Sequence, residues 1–324
     1  MKKLIITLAA VAAATAFSAK AEEAPAPVAE AAAPAVEAPA PEAQAPQAPA
    51  EVEEPEESEE EESSLFEASF QIDLLSAYVS HNRIFSDTPV AQYDIWLQAN
   101  LPENFGWVAF DIWANQELNK RHSSPSHANG GKQFGGFGEF DYEIVYGNSI
   151  GPVNFSASHL WYTYPRCSHP HGASGKWPTQ KFWTFGVEYD NEIVVPSVKM
   201  YMEYCHNSKP DEAFMYDFAL SRDFELCDKL TLKLVSKTTL YSASYAKYIS
   251  GGEITDTVFG GWDNGVGLSY ALTDNLTIGA RLNYLYKLDH RVRHCEGWDS
   301  YSPGSGHDKR NGIVYGGVSV SLSF

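Results

Sequence analysis

Residues 311–324 read NGIVYGGVSVSLSF. Val314, Gly316, Val318, Val320, Leu322 and Phe324 fall on one side of an extended chain; Tyr315, Gly317, Ser319, Ser321 and Ser323 fall on the other. Successive side chains of a strand point to opposite faces, so this alternation describes a strand with one apolar and one polar side. Its length, and the chemistry of its two faces, set the template for reading the remainder of the chain.

Eleven earlier stretches repeat the pattern: 68–80, 90–101, 106–116, 137–146, 153–163, 181–190, 194–205, 214–224, 230–241, 262–272 and 276–288. In the first, Phe70, Ile72, Leu74 and Tyr78 oppose Ser69, Gln71 and Asp73. One such match is weak evidence. Twelve in succession, joined by connections that alternate in length, are much stronger. The connections at 102–105, 147–152, 191–193, 225–229 and 273–275 are short, and those at 81–89, 117–136, 164–180, 206–213, 242–261 and 289–310 are longer. Short turns at one end and long loops at the other are the layout of a transmembrane barrel. A soluble β-sandwich gives no reason for it. Lipid offers the backbone no hydrogen-bond partner, so a spanning sheet must close on itself. The fold class expected is all-β: a transmembrane antiparallel β-barrel of 12 strands with a disordered N-terminal segment.

Composition agrees. Aromatic residues make up 13% of the 324, with 18 Tyr, 17 Phe and 8 Trp, as barrel interfaces need. Mean hydropathy is only −0.30, as expected when alternate residues face lipid. Residues 1–21 carry Lys2 and Lys3, an Ala-rich apolar run and Ala19-Lys20-Ala21, the pattern of a secretory signal peptide cleaved before Glu22. That run is too short and too diluted to read as a membrane helix. Residues 22–65 are an Ala/Pro/Glu linker, with 14 Glu and no base as far as Ser64. Lacking aromatics, such a segment cannot offset its ordering entropy, and repeated proline keeps it extended. It reads as a disordered, acidic periplasmic spacer; the alternative is a tether to the cell wall or to a basic partner. Residues 66–324 form the barrel, an even strand count placing both termini in the periplasm.

The terminal Phe324 resembles the C-terminal signal of Gram-negative outer-membrane barrels, which implies the barrel-assembly machinery as a partner and the outer membrane as the location. Residues 74–118 add a second likeness. Ser76, Tyr78 and Val79, then Asp87, Pro89 and Val90, then Trp113 and Asn115 resemble the first hairpin of the Gcw_chp-like outer-membrane protein family. Members often have Arg-Gly after the tyrosine, where this chain has Ser80-His81-Asn82-Arg83. The resemblance implies an outer-membrane barrel and carries over no catalytic residue.

Turning the polar faces inward gives a lumen map. The early strands supply Asp73, Asp94, Asp111, Glu139, Asp141 and Glu143; the later ones supply Lys199, Lys233, Lys237, Arg281 and Lys287, together with Glu203, Asp217 and Asp263. An acidic wall facing a base-rich wall sets up a transverse field in a narrow aqueous path. The function expected is passive or facilitated diffusion of small polar solutes. The alternative is a structural or surface-binding barrel whose charges pair across a filled interior.

Nine of ten His lie in the long connections, and three Cys lie beside them. Cys167, His169, His171, Cys205, His206, His294 and Cys295 are therefore weak candidates for a metal-capturing loop crown, against the plainer reading of polar loops with a bridging disulfide. Cys227 lies at the other end. His159 is the one strand histidine, and its same-face neighbours are Ala157 and Trp161, so no nucleophile–base set stands out and no enzyme is expected. No cofactor is expected. From residue 65 onward 28 acids face 20 bases, a net of −8, which disfavours nucleic acid. The partners expected are outer-membrane lipid and small solutes, with the chain monomeric.

Overall fold

A computed structural model describes residues 65–102, 105–118, 137–163, 179–205, 213–295, 298 and 311–324. Residues 1–64, expected to hold a signal peptide and an acidic linker, and the larger part of the long connections lie outside them.

The elements in chain order are β1 (Phe66–Leu75), β2 (Tyr78–Ser80), β3 (Arg83–Ser86), β4 (Val90–Asn100), β5 (Trp107–Glu117), β6 (Phe137–Ile150), β7 (Val153–Thr163), β8 (Thr179–Tyr189), β9 (Val195–Cys205), β10 (Ala213–Cys227), β11 (Leu230–Tyr241), α1 (Ala243–Ile249), β12 (Val258–Phe259), β13 (Trp262–Ala271), β14 (Leu276–Tyr286), α2 (His290–His294) and β15 (Gly312–Ser323). Twelve of the strands form one antiparallel ring. It runs β1–β4–β5–β6–β7–β8–β9–β10–β11–β13–β14–β15 and closes where β15 pairs with β1. β12 is a two-residue strip beside the end of β11, and β2 and β3 form a separate hairpin. The ring strands are 10 to 15 residues long, enough for a tilted strand to cross a bilayer core.

The seam shows how the closing strand works. Ser69 lies opposite Ser323, Ile72 opposite Val320 and Leu75 opposite Gly317. A one-residue slip would turn every apolar side chain into the lumen, so the alternation itself fixes the register. At Gly317 an added Cβ would lie 1.8 Å from the carbonyl oxygen of Leu74. Only glycine admits that approach. At the other end Gly106, with φ +82°, turns the chain between β4 and β5; a Cβ there would lie 2.0 Å from the Gly147 carbonyl oxygen.

Burial is inverted relative to a soluble sheet. Leu74, Ile95, Phe110, Ile144, Phe185, Val187, Leu268, Leu282 and Val318 are exposed around the whole ring. Their partner face carries the buried polar set: Asp73, Gln92, Asn115, Glu139, Ser158, Thr184, Glu203, Thr239 and Asp263. A continuous apolar exterior exceeds what a water-soluble monomer carries and is what hydrocarbon requires. The chain is a closed twelve-stranded transmembrane barrel.

One expected strand differs. The stretch 68–80 breaks after Leu75, because the Ser76 amide donates to the Gly316 carbonyl (2.9 Å) and the Gly316 amide donates to the Ser76 hydroxyl (3.1 Å), which ends the ladder. Tyr78 is thus buried rather than placed on the lipid face with Leu74.

Candidate functional site: a hairpin across the lumen

Residues 76–89 do not form an outer loop. They fold into the barrel as the hairpin β2–β3. Ser80 pairs with Arg83, leaving His81 and Asn82 as a two-residue turn with φ of +47° and +55°. Positive φ at both central residues is the type I′ turn that suits the twist of a hairpin, and Asn and His tolerate it better than branched residues do.

The hairpin has two packing faces because its side chains alternate. Ala77 and Ile84 pack with Leu285 and Tyr315 on β14 and β15. Tyr78 and Phe85 pack against Leu75, Val90 and Trp113, with ring centroids 4.9 Å apart for Tyr78–Phe85 and 5.5 Å for Tyr78–Trp113. The Tyr78 hydroxyl donates to Glu139 of β6 at 2.9 Å. The hairpin therefore stands between two parts of the wall.

Its tip reaches the wall opposite its root. His81 Nδ1 is 2.8 Å from Asp217 Oδ2 on β10, and Nε2 is 3.3 Å from the Tyr162 hydroxyl on β7. Its ring meets Tyr201 of β9 edge-on at 4.9 Å. The Tyr241 hydroxyl of β11 donates to the His81 carbonyl. Asn82 Oδ1 accepts the Thr239 amide at 2.5 Å, and the Thr239 hydroxyl donates to Asp217 at 2.6 Å. In ring order, β9 and β10 are half a turn from β1 and β4. The hairpin crosses the lumen.

Above the tip, toward the long-loop end, Leu160, Phe182, Met215, Tyr241, Tyr245, Val292 and Trp298 form an apolar cluster. Helix α1 enters it through Tyr245 and Ala246, and its cap Ser242 accepts the Tyr245 amide. Arg83 Nε donates to the Trp298 carbonyl at 2.7 Å, tying β3 to the loop that carries α2. Burial pushes the Tyr248 hydroxyl of α1 up to about 12, the charge of Glu203 adding to the shift and Arg83 opposing it. Tyr245 is raised as well, again mainly by burial. Both remain neutral donors at ordinary pH.

The acids assigned to the lumen sit together on one wall. In register, Asp73 faces Gln92, Gln92 faces Asn115 and Asn115 faces Glu139 across β1, β4, β5 and β6; Asp94 faces Trp113, which faces Asp141; Asp111 faces Glu143. Several are tied to cations. Arg281 meets Asp73 at 3.4 Å, and Lys199 meets Glu143 at 3.1 Å, where Ser158 also donates. Lys237 meets Asp263 at 3.7 Å, and the Tyr315 hydroxyl donates to Asp263 at 2.6 Å. Lys233 lies 3.9 Å from Asp223, with both largely exposed, and Lys287 is buried at the top of β14. Glu203 is buried too, within reach of Gln180 at 3.4 Å. Asp94, Asp111 and Asp141 have no ion-pair partner among the described residues. On β13–β15, by contrast, several inward positions are small, namely Gly265, Gly267, Ser269, Gly279, Ser319 and Ser321, alongside the larger Arg281, Asn283 and Tyr315.

Of the metal candidates, Cys167, His169, His171 and His206 lie outside the described residues, as does the Cys205 side chain. His294 lies against His290 within α2, ring centroids 4.3 Å apart, and the buried Cys295 points its thiol at the Ser250 carbonyl, 3.8 Å away. Among the described residues no three His, Cys, Asp or Glu side chains gather as a metal cage. Alternation alone does not mark Tyr162, Tyr201, Thr239 or Tyr241 as partners of the hairpin tip. His81 and Asn82 do carry a signal: His-Asn between the short runs 77–80 and 83–86 is a two-residue hairpin turn.

No protein-family model and no curated protein matches the chain. Among solved structures, the chain is similar to the NanC porin, at 10% identity over 78% of this chain and 98% of that one, with a TM-score of 0.42. It is also similar to the Salmonella typhi outer membrane phospholipase (11%, 78% and 90%, 0.41) and to a loop-deletion mutant of OmpT, an outer membrane protein of Vibrio cholerae (11%, 80% and 98%, 0.37). At these scores the likenesses carry no argument about mechanism, and the barrel rests on its own ladder of pairings.

Proposed function

We propose that the chain is an outer-membrane channel for small polar solutes in which residues 76–89 set the constriction. The observation that carries this is the reach of His81 from the β1–β4 wall to Asp217 on the opposite one. A barrel that needed only to be filled could use bulky wall side chains; a hairpin held at its tip by a few polar contacts divides the lumen and can be released. Solutes would pass between the hairpin and the wall. Asp94, Asp111 and Asp141 of β4, β5 and β6, with no ion-pair partner among the described residues, lie on the inward face of the wall that path follows. A row of polar groups there suits small polar solutes. The long loops face outward and the chain ends face the periplasm.

A second reading is a plugged barrel that conducts nothing and serves as a scaffold. The apolar cluster of Tyr241, Tyr245 and Trp298 at the long-loop end favours it. Planar-bilayer recordings separate the two. The channel reading expects small discrete openings from the refolded wild type. It expects a severalfold larger conductance when residues 77–87 are replaced by a short Gly-Ser link. Silence from both proteins, each folded by heat-modifiability, leaves the scaffold reading standing and removes the channel.

A further inference from the structure

Among the described residues, the register turns no Asp or Glu of the ring strands toward lipid, and it turns two cations there, Lys181 on β8 and Arg222 on β10. Arg222 is committed locally: its guanidinium donates to the Asn191 carbonyl at 3.3 Å and lies over Phe224. No hydrogen bond or ion pair to Lys181 is found among the described residues, and Lys181 stands at the edge of a polar–aromatic group. Trp161 of β7 is its register partner, and His159, two residues along, is opposite Trp183. The His159 ring lies 3.9 Å from Trp161, 4.5 Å from Trp183 and 5.4 Å from Tyr204, centroid to centroid.

Tyr204 is placed there by a fault in the ladder. Between β8 and β9, Lys181 pairs with Cys205 and Phe182 with Glu203, so Tyr204 is the extra residue of a bulge. A bulge re-aims the side chain it carries. Here it lays the Tyr204 ring over Trp183, at 6.0 Å and 28°, and brings its hydroxyl to Nε2 of His159, two strands away. Below the group the wall turns purely apolar, with Phe185 and Val187 exposed.

An ammonium on a wall that faces hydrocarbon is costly unless something charged or polar meets it, and beside Lys181 stands the mutually hydrogen-bonded pair of Tyr204 and His159. They lie in the five residues of β7, β8 and β9 nearest the long loops, the headgroup end of the strands, and Lys can extend its amine further that way. We infer that the outward face of β7–β9 binds the phosphate of a lipid headgroup. Lys181 supplies the positive charge, Tyr204 and His159 supply hydrogen-bonding groups, and the acyl chains run down over Phe185 and Val187. Charge-assisted hydrogen bonds to phosphate are the strong ones, and no acid on that wall opposes the anion. This inference rests on the barrel's lipid-facing wall and is independent of whether the lumen conducts.

Native mass spectrometry of the refolded full chain released from detergent tests it, with three probes at equal concentration: phosphatidic acid, the matching diacylglycerol, and inorganic phosphate. One retained phosphatidic acid per chain is expected, with no adduct from the other two. Lys181→Gln and Tyr204→Phe should each lower occupancy roughly tenfold, and Arg222→Gln should leave it unchanged; folding of every variant is checked by heat-modifiability. Equal retention of diacylglycerol, equal retention of inorganic phosphate, or undiminished occupancy in the folded double variant Lys181→Gln/Tyr204→Phe would each overturn the assignment.

Discussion

His81 Nδ1 and Asp217 Oδ2, 136 residues apart in the chain, lie 2.8 Å apart at the far side of the barrel from the hairpin's root. This contact makes a connection between two neighbouring strands into a bar across the lumen. A hydrogen bond to a charged group contributes about 1.5–3 kcal/mol, which is roughly a tenfold to hundredfold shift in how often the tip is docked. His81→Ala should therefore raise hydrogen exchange of the hairpin amides 79–84 at least about tenfold, leaving the ring strands as protected as before. Unchanged hairpin protection would show that the packing faces alone hold it.

Asn82 tests the second tip contact separately. At φ +55° glycine is at ease, so Asn82→Gly keeps the turn and removes the buried side chain that accepts the Thr239 amide. The buried amide is left unpaired, at a cost of about 1–3 kcal/mol. The loss should appear in denaturant titrations of the refolded protein as a lower midpoint with the slope retained.

The seam is the most fragile line of the ring. Gly317→Val places carbon where the Leu74 carbonyl already sits, so β15 cannot pair with β1 in register. The expected outcome is loss of the compact, unheated band on electrophoresis. Recovery of normal heat-modifiability would mean the seam can shift, contrary to its tight approach.

Val318 and Ser319 are neighbours on β15 with opposite surroundings, one exposed on the apolar exterior and the other opposite Asp73 inside. Val318→Arg should destabilise by about 2–4 kcal/mol, as a charge near the middle of the bilayer does. Ser319→Ala should stay within about 0.5 kcal/mol. Folding free energies in lipid vesicles read both, and equal penalties would contradict the assignment of the faces.

Asp289 carries a pH signature in the loop that bears α2. The Arg291 side chain hydrogen-bonds its carboxyl, the pair meeting at 2.8 Å, and holds it below the usual carboxylate range despite partial burial; the Arg291 amide adds to this. A depressed folded-state value stabilises above the ordinary aspartate range, near pH 4, and that stabilisation fades as pH falls through the lower folded value. The pair is open to water, so solvent screening keeps the effect small. Amide resonances of residues 290–294 should shift below about pH 4 in the wild type. In Asp289→Asn that shift should be absent.

The alternation in 311–324 and its eleven repeats determined the strand number, the register and which face meets lipid. A period-2 pattern in one long strand leaves no second arrangement that keeps apolar groups out of water-filled space. The same pattern misled at one place. Tyr78 is in phase with Phe70, Ile72 and Leu74, so the pattern extends the strand to Ser80, whereas the ladder stops at Leu75, and two more residues form the turn that sends Tyr78 to Glu139. Nothing local distinguishes a tyrosine facing lipid from one facing a buried carboxylate. The acids of the lumen wall were legible as a set, because neighbouring strands bring alternate residues of successive segments side by side. Which of them would meet Arg281 or Lys199 was not, since those pairs form across closure of the ring. The lumen-crossing hairpin, its pin at Asp217 and the bulge that turns Tyr204 toward His159 depend on contacts between residues distant in sequence, which only the closed barrel brings within reach.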